Sequence, residues 1–362
     1  MAVAVIATTP IVGAEATGNV CREDSRYAGQ RDQYRFTGAD RYETAICASY
    51  WNWQPHNAPW RADAVVLARG DLFADALAGG PLAGHVNGPL LLNPPNALLP
   101  SVKAEIQRLL APGDPVYLLG STGALSDAVA SALQSMGYVT RRIAGADRYE
   151  TAVRVAQEMP PTDRFFLTTG TDFPDALAAG AYATYRTHEA ARDVDPATTP
   201  LPLLFTDNAV MPTSTRNHIV ASGDNPVLYS AGGAATTATT RAFGPGVTSF
   251  VGPDRYATAT LIAERLYTGP DGKLTGFGVG LASGTDFPDG LTATTALMDN
   301  AQPLLLTPPT TLAPTTRDFL HRHAGDIRQE SSGELDGNLE VFGGLGAISA
   351  AVVTAAKTAY TA

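Results

Sequence analysis

The chain has 362 residues, with 35 acidic side chains against 25 Lys and Arg and a formal net charge of −10. At 44% hydrophobic and 17% charged residues, its composition is that of a soluble globular protein with a length for roughly two or three domains. The acidic balance excludes a general nucleic-acid binder, which needs a basic face. Only Lys103, Lys273 and Lys357 are lysines, so nearly every cation is an arginine, suited to planar two-point contact with carboxylate or phosphate.

Residues 2–12 form an apolar run followed by Ala14-Glu15-Ala16, which fits the small-x-small rule of a signal-peptide cleavage site, although no basic residue precedes the run. The same run suits a buried first strand. It is too short to span a bilayer, and no later apolar segment approaches the roughly 20 residues of a membrane span. In an exported chain the two cysteines, Cys21 and Cys47, most simply pair, tethering the N-terminal arm to the first domain.

Internal repetition decides the architecture. Thr37-Gly-Ala-Asp-Arg-Tyr-Glu-Thr-Ala45 recurs as Ala144-Gly-Ala-Asp-Arg-Tyr-Glu-Thr-Ala152 and as Val251-Gly-Pro-Asp-Arg-Tyr-Ala-Thr-Ala259. Gly38, Gly145 and Gly252 are spaced by 107 residues, 38 to 145 and 145 to 252. A second motif follows each time: Arg69-Gly-Asp-Leu-Phe-Ala-Asp-Ala-Leu77, Thr169-Gly-Thr-Asp-Phe-Pro-Asp-Ala-Leu177 and Ser283-Gly-Thr-Asp-Phe-Pro-Asp-Gly-Leu291. A proline-led apolar run comes third (Pro89-Leu-Leu-Leu92, Pro202-Leu-Leu-Phe205, Pro303-Leu-Leu-Leu306), and a strand-like run ending in Gly-Ala fourth.

Within a unit, short apolar runs alternate with helical periodicity. Asp40 with Glu43, and Asp147 with Glu150, predict capped helices after the first run. The Phe-Pro-Asp segments predict helices opened by proline, with Asp75, Asp175 and Asp289 satisfying first-turn amides. The Pro-Leu-Leu runs read as buried strands, and Ser126 as the cap of a later helix. Four βα pairs per unit predict an α/β fold, each repeat a parallel sheet covered by helices. The expected division is an arm with a signal-peptide remnant over 1–33 and repeats over 34–140, 141–247 and 248–362.

Read together, these motifs resemble the cell-wall-binding repeat type 2 family of exported Gram-positive proteins, over about residues 34–360. The resemblance implies three toprim-like or Rossmann-like parallel-sheet domains in a pseudo-threefold triangle, with noncovalent attachment to an anionic wall polymer and no cofactor. It also implies polymer contact by Arg41, Arg148 and Arg255 and by the segments carrying Pro89, Leu90, Pro202, Leu203, Pro303 and Leu304. Three departures stand out: Leu72-Phe73-Ala74 replaces Asp-Phe-Pro in the first repeat, Ala257 and Gly290 alter the third, and the second carries a charged insertion over 185–199.

Each candidate residue also suits a plainer role. The arginines stand at helix N-termini beyond strand ends, where open α/β sheets bind ligands, but an arginine beside a capping aspartate also suits an ion pair. The aspartates of the second motif suit a metal or acid–base pair as well as capping, yet three near-identical copies disfavour one catalytic centre. Trp51, Trp53 and Trp60, in a proline-rich stretch, are candidates for stacking on glycan and equally for closing the loop onto its own domain. The histidines show no ligand spacing beyond His321-Arg-His323. The expected function is noncatalytic binding of an anionic cell-wall polymer or peptidoglycan, at the cell wall or surface, with a cargo or other surface proteins as further partners. The alternatives are an exported wall-degrading enzyme using the repeated aspartates, or a surface-array or protein-interaction scaffold.

Overall fold

A computed structural model describes residues 33–192, 198–276, 278–327 and 338–361. The first repeat runs β1 (Gln33–Phe36), α1 (Arg41–Asn52), β2 (Val65–Arg69), α2 (Gly79–His85), β3 (Leu90–Asn93), α3 (Pro100–Leu109), β4 (Pro115–Leu119) and α4 (Asp127–Ser135). The second runs β5 (Val139–Ile143), α5 (Arg148–Gln157), β6 (Arg164–Thr169), α6 (Pro174–Ala191), β7 (Leu203–Thr206), α7 (Thr213–Ala221), β8 (Val227–Ala231) and α8 (Gly233–Phe243). The third runs β9 (Thr248–Phe250), α9 (Arg255–Leu266), β10 (Gly278–Ser283), α10 (Pro288–Ala296), β11 (Leu304–Thr307), α11 (Pro314–Arg322), α12 (Ala324–Ile327), β12 (Asn338–Phe342) and α13 (Ala350–Thr361), with a 3-10 turn at Met298–Asn300. No helix among the described residues is long and apolar enough to cross a membrane.

The strands form three four-stranded sheets, ordered β3-β2-β4-β5, β7-β6-β8-β9 and β11-β10-β12-β1, with every pairing parallel. The strand before each Gly-x-Asp-Arg-Tyr motif therefore joins the sheet of the preceding repeat. The exchange is cyclic: β5 completes the first sheet, β9 the second, and β1 pairs with β12 from the other end of the chain, Phe36 opposite Phe342. Those two rings stack at 4.8 Å, and Arg35 donates to the carbonyls of Gly343 and Ile348.

The proline-led runs form the edge strands β3, β7 and β11. Proline has no N–H to give a ladder, which suits the start of an edge strand, and the carbonyls of Pro89, Pro202 and Pro303 accept from Val66, Phe166 and Gly280 at 2.9–3.0 Å. The helices that follow the second motif, α2, α6 and α10, pack on one another at the centre. Small residues permit that approach. A Cβ on Gly80 would lie 2.5 Å from the Thr184 hydroxyl, and one on Gly290 would lie 2.7 Å from Leu177 Cδ1, which accounts for glycine where the other repeats have alanine. The charged insertion lengthens α6 to 18 residues. At its far end the buried His188 bridges repeats, with Nδ1 3.2 Å from the Gly84 carbonyl and Nε2 2.9 Å from Asp299.

Candidate functional site

The first-motif helices begin as the sequence predicts. Asp40 accepts from the N–H groups of Tyr42 and Glu43, Asp147 from Glu150 and Asp254 from Ala257, at 2.8–3.0 Å. Glu43 and Glu150 reach back to the N–H groups of Ala39 and Ala146, one residue outside the cap. This fixes the first helical residue, which is Arg41, Arg148 or Arg255. Each guanidinium then donates Nη1 to a glycine carbonyl in its own repeat, at Gly70, Gly170 and Gly284, and all three bonds measure 2.6 Å. Charge-assisted bonds of this kind hold a guanidinium in a set pose rather than leaving it to sweep through solvent.

The opposite side of each arginine faces a different repeat. The Arg41 guanidinium lies 5.6 Å from the Phe287 ring, Arg148 lies 5.8 Å from Phe73, and Arg255 lies 5.9 Å from Phe173. The three phenylalanines form a triangle with centroids 5.8, 5.8 and 6.0 Å apart. All three arginines thus surround one aromatic cluster at the junction of the repeats, within cation–π range of it. The phenylalanines are the residues that sequence reasoning overlooked. Their signal was present, since every copy of the second motif carries one.

Two of the arginines also meet a carboxylate across the junction: Arg41 Nη2 lies 3.9 Å from Asp286, and Arg255 Nη2 lies 3.7 Å from Asp172. At the third junction the corresponding position is Leu72, 53% exposed, and among the described residues no carboxylate pairs with Arg148.

Asp75, Asp175 and Asp289 do not cap their own helices, contrary to the sequence-based expectation. The helix starts at Phe173 and Phe287 have no side-chain cap, and Asp172 and Asp286 instead accept from the N–H of the next residue. Each of the three aspartates is half-buried behind the arginines. Their carboxylates press on Gly120, Gly232 and Gly343, which have φ of +87°, +84° and +100° and lie so close that any Cβ would collide. Only glycine meets both demands. Burial pushes Asp175 and Asp289 up to about 6, the nearby Asp172 and Asp286 add to the rise, and arginine and threonine side chains of the neighbouring repeat oppose it. Burial raises Asp75 too, but with no neighbouring carboxylate adding to it and with Arg69 among the groups opposing it. Among the described residues no three His, Cys, Asp or Glu side chains converge as metal ligands.

The remaining candidates divide by exposure. Pro89, Leu90, Pro202, Leu203, Pro303 and Leu304 are buried, and their side chains pack into the core. Trp53 is buried, Trp51 meets the Phe36 ring edge-on at 5.7 Å, and Trp60 is 53% exposed. Cys47 is buried in α1, while Cys21 and the apolar N-terminal run lie outside the described residues. Ser126 precedes α4 but donates its hydroxyl to the Asn96 carbonyl instead of capping. His323 sits between Asp326 and Glu264, at 2.9 and 3.0 Å, joining α9, α11 and α12.

Comparison with known proteins matches this geometry to a family. The cell wall binding domain 2 (CWB2) family matches three consecutive segments, 35–130, 142–240 and 250–353. The chain is 28% identical over 273 residues to N-acetylmuramoyl-L-alanine amidase LytC of Bacillus subtilis, covering 75% of this chain and 50% of that protein. It is 36% identical over 149 residues to the amidase enhancer of the same organism, covering 41% of this chain and 20% of that one. It therefore spans half or less of the length of these relatives. Among solved structures, Cwp8 from Clostridium difficile superposes with a TM-score of 0.74 at 19% identity, over 91% of this chain and 52% of that one. Cwp6 from the same organism superposes at 0.68 and 22% identity, over 90% and 48%. These two share the fold, and with the family matching all three repeats, the chain belongs to the cell wall binding domain 2 family.

Proposed function

We propose that this protein holds noncovalently to the bacterial cell wall, as an exported, noncatalytic module at the cell surface, by gripping an anionic wall polymer with Arg41, Arg148 and Arg255. The observation that carries this reading is the convergence of three pre-posed guanidiniums around one phenylalanine triangle. Each is fixed by a glycine carbonyl, and each sits in a junction where two repeats could shape the path of a chain. A net charge of −10 is no obstacle, because at physiological salt charges are screened over about 8 Å and the local field governs. Three weak contacts on one rigid body also reinforce one another on a long polymer through effective concentration. Trp60, the exposed tryptophan of the three, is the one placed to stack on sugar. A Cys21–Cys47 bridge belongs to the same reading, as a tether for the N-terminal arm of an exported chain.

The test is cosedimentation of the protein with isolated Gram-positive walls, before and after mild acid extraction of their anionic polymers. Binding lost on extraction is the expected result. Undiminished binding to extracted walls would transfer the partner to peptidoglycan or protein and overturn the reading.

A further inference from the structure

The three junctions share a plan but not a charge. At two of them an aspartate of the neighbouring repeat stands 3.7–3.9 Å from the second guanidinium nitrogen, so the cation already has an anionic neighbour. At the junction of the first and second repeats, Leu72 occupies that position, and Arg148 keeps its bond to Gly170 while no described carboxylate pairs with it. The half-buried aspartates behind the arginines are common to all three sites and do not produce the difference. Arg69, which replaces the threonine or serine of the other copies, acts on Asp75 as Arg148 does, and its own charge is met by Asp71. The Arg69 Nε and Nη2 donate to the two carboxylate oxygens of Asp71, both at 2.6 Å.

We propose that the Arg148 junction, lined by Arg148, Leu72 and Phe73, is the principal anion-binding site of the molecule, taking a phosphate or carboxylate of the wall polymer, while the Arg41 and Arg255 junctions serve as weaker secondary contacts. This rests on the wall-binding reading above and adds a ranking to it. An incoming anion at Arg41 or Arg255 must displace or lie beside Asp286 or Asp172, whereas at Arg148, with only the half-buried Asp75 behind it, no described carboxylate stands at the front of the guanidinium. There the exposed Leu72 offers an apolar lip for the C–H face of a sugar. A charge-assisted contact of this kind is worth about 1.5–3 kcal/mol, which is roughly ten- to a hundredfold in affinity.

The ranking is read from wall-binding isotherms of single variants at physiological salt. Arg148→Ala should weaken binding at least about tenfold, and Arg41→Ala or Arg255→Ala only a few-fold. All three lose the same bond to a glycine carbonyl, and Arg41 and Arg255 lose an ion pair besides, so a merely structural effect would be at least as large at those two as at Arg148. Leu72→Asp lies at the exposed rim, keeps the Arg148–Gly170 bond and should reproduce most of the Arg148→Ala loss. The reciprocal Asp172→Leu should strengthen binding by freeing Arg255. Soluble polyphosphate and polygalacturonate separate the two anion sources: either one, bound in a way Leu72→Asp abolishes, supports the site. Equal losses for the three arginine variants, or an unaffected Leu72→Asp protein, would overturn the ranking while leaving wall binding intact. A wild-type protein that binds walls but neither polyanion would also overturn it. Wild-type protein that ignores walls altogether would overturn both.

Discussion

The junction between the first and second repeats and the other two are built from the same motifs, yet they differ in charge: the first repeat has Leu72 where the others have an aspartate, and an Arg69–Asp71 pair where the others have small hydroxyl residues. Arg41 and Arg255 each face an aspartate, while at the Arg148 junction the aligned position holds the exposed Leu72. Near-identical repeats thus need not be equivalent sites, because each junction combines one repeat's arginine with another's second motif. A departure in the first repeat is felt by the arginine of the second.

The comparison can be broken or sharpened by mutation. The largest expected effect is on the shared centre. Phe287→Ala removes a buried ring that touches both other phenylalanines and the Arg41 guanidinium, and should cost about 3 kcal/mol in a denaturant melt. The more exposed Phe73 should cost less on truncation, and equal costs would show that ring contact outweighs burial at this centre. Gly290→Ala forces a methyl to 2.7 Å from Leu177 and should destabilise by about 1–2 kcal/mol, measured the same way. The third effect depends on pH. Asp175 and Asp289 have folded values near 6 against an ordinary 3.8, so they favour the fold when protonated. That stabilisation is complete below about pH 3.8 and is lost as pH rises through about 6. Allowing for partial exposure, Asp175→Asn and Asp289→Asn should each remove roughly 1–2 kcal/mol of this pH dependence, seen as a flatter profile of melting temperature between pH 4 and 7. A profile unchanged by both substitutions would contradict the assignment. The smallest effect is that of Asp172→Leu on stability. A surface ion pair at 3.7 Å is worth at most about 1 kcal/mol, so the melt should hardly move, while the Asp175 titration followed by NMR should shift downward with its neighbour gone.

Much of this was legible in the sequence. The 107-residue spacing, the capping aspartates and the alternation of runs yield three parallel-sheet units, because those signals are local and survive without knowledge of the tertiary arrangement. The pairing of β1 with β12, and of β5 and β9 with preceding sheets, was not legible, since a strand's own residues do not say which neighbour completes its ladder. The arginines were singled out by the family resemblance, and their place at helix starts suited the role. Leu72 was visible as a departure, but its consequence appears only when Arg148 is set across from it. The Pro-Leu-Leu runs carried an ambiguous signal, as buried edge strands and grooves draw on the same residues; in the structure they are buried edge strands. Glu340 went unnoticed inside a strand-like run. It is fully enclosed in β12 where β4 and β8 carry Tyr117 and Tyr229, and burial pushes its carboxyl up to about 8.

The most direct test of the central claim is retention of the Arg41→Ala, Arg148→Ala, Arg255→Ala triple variant on isolated walls at physiological salt, with circular dichroism to confirm its fold. Release of the folded variant into the supernatant, where the wild type pellets with the walls, is the predicted result. A folded triple variant that stays with the walls as tightly as the wild type would contradict the claim that these arginines hold the polymer.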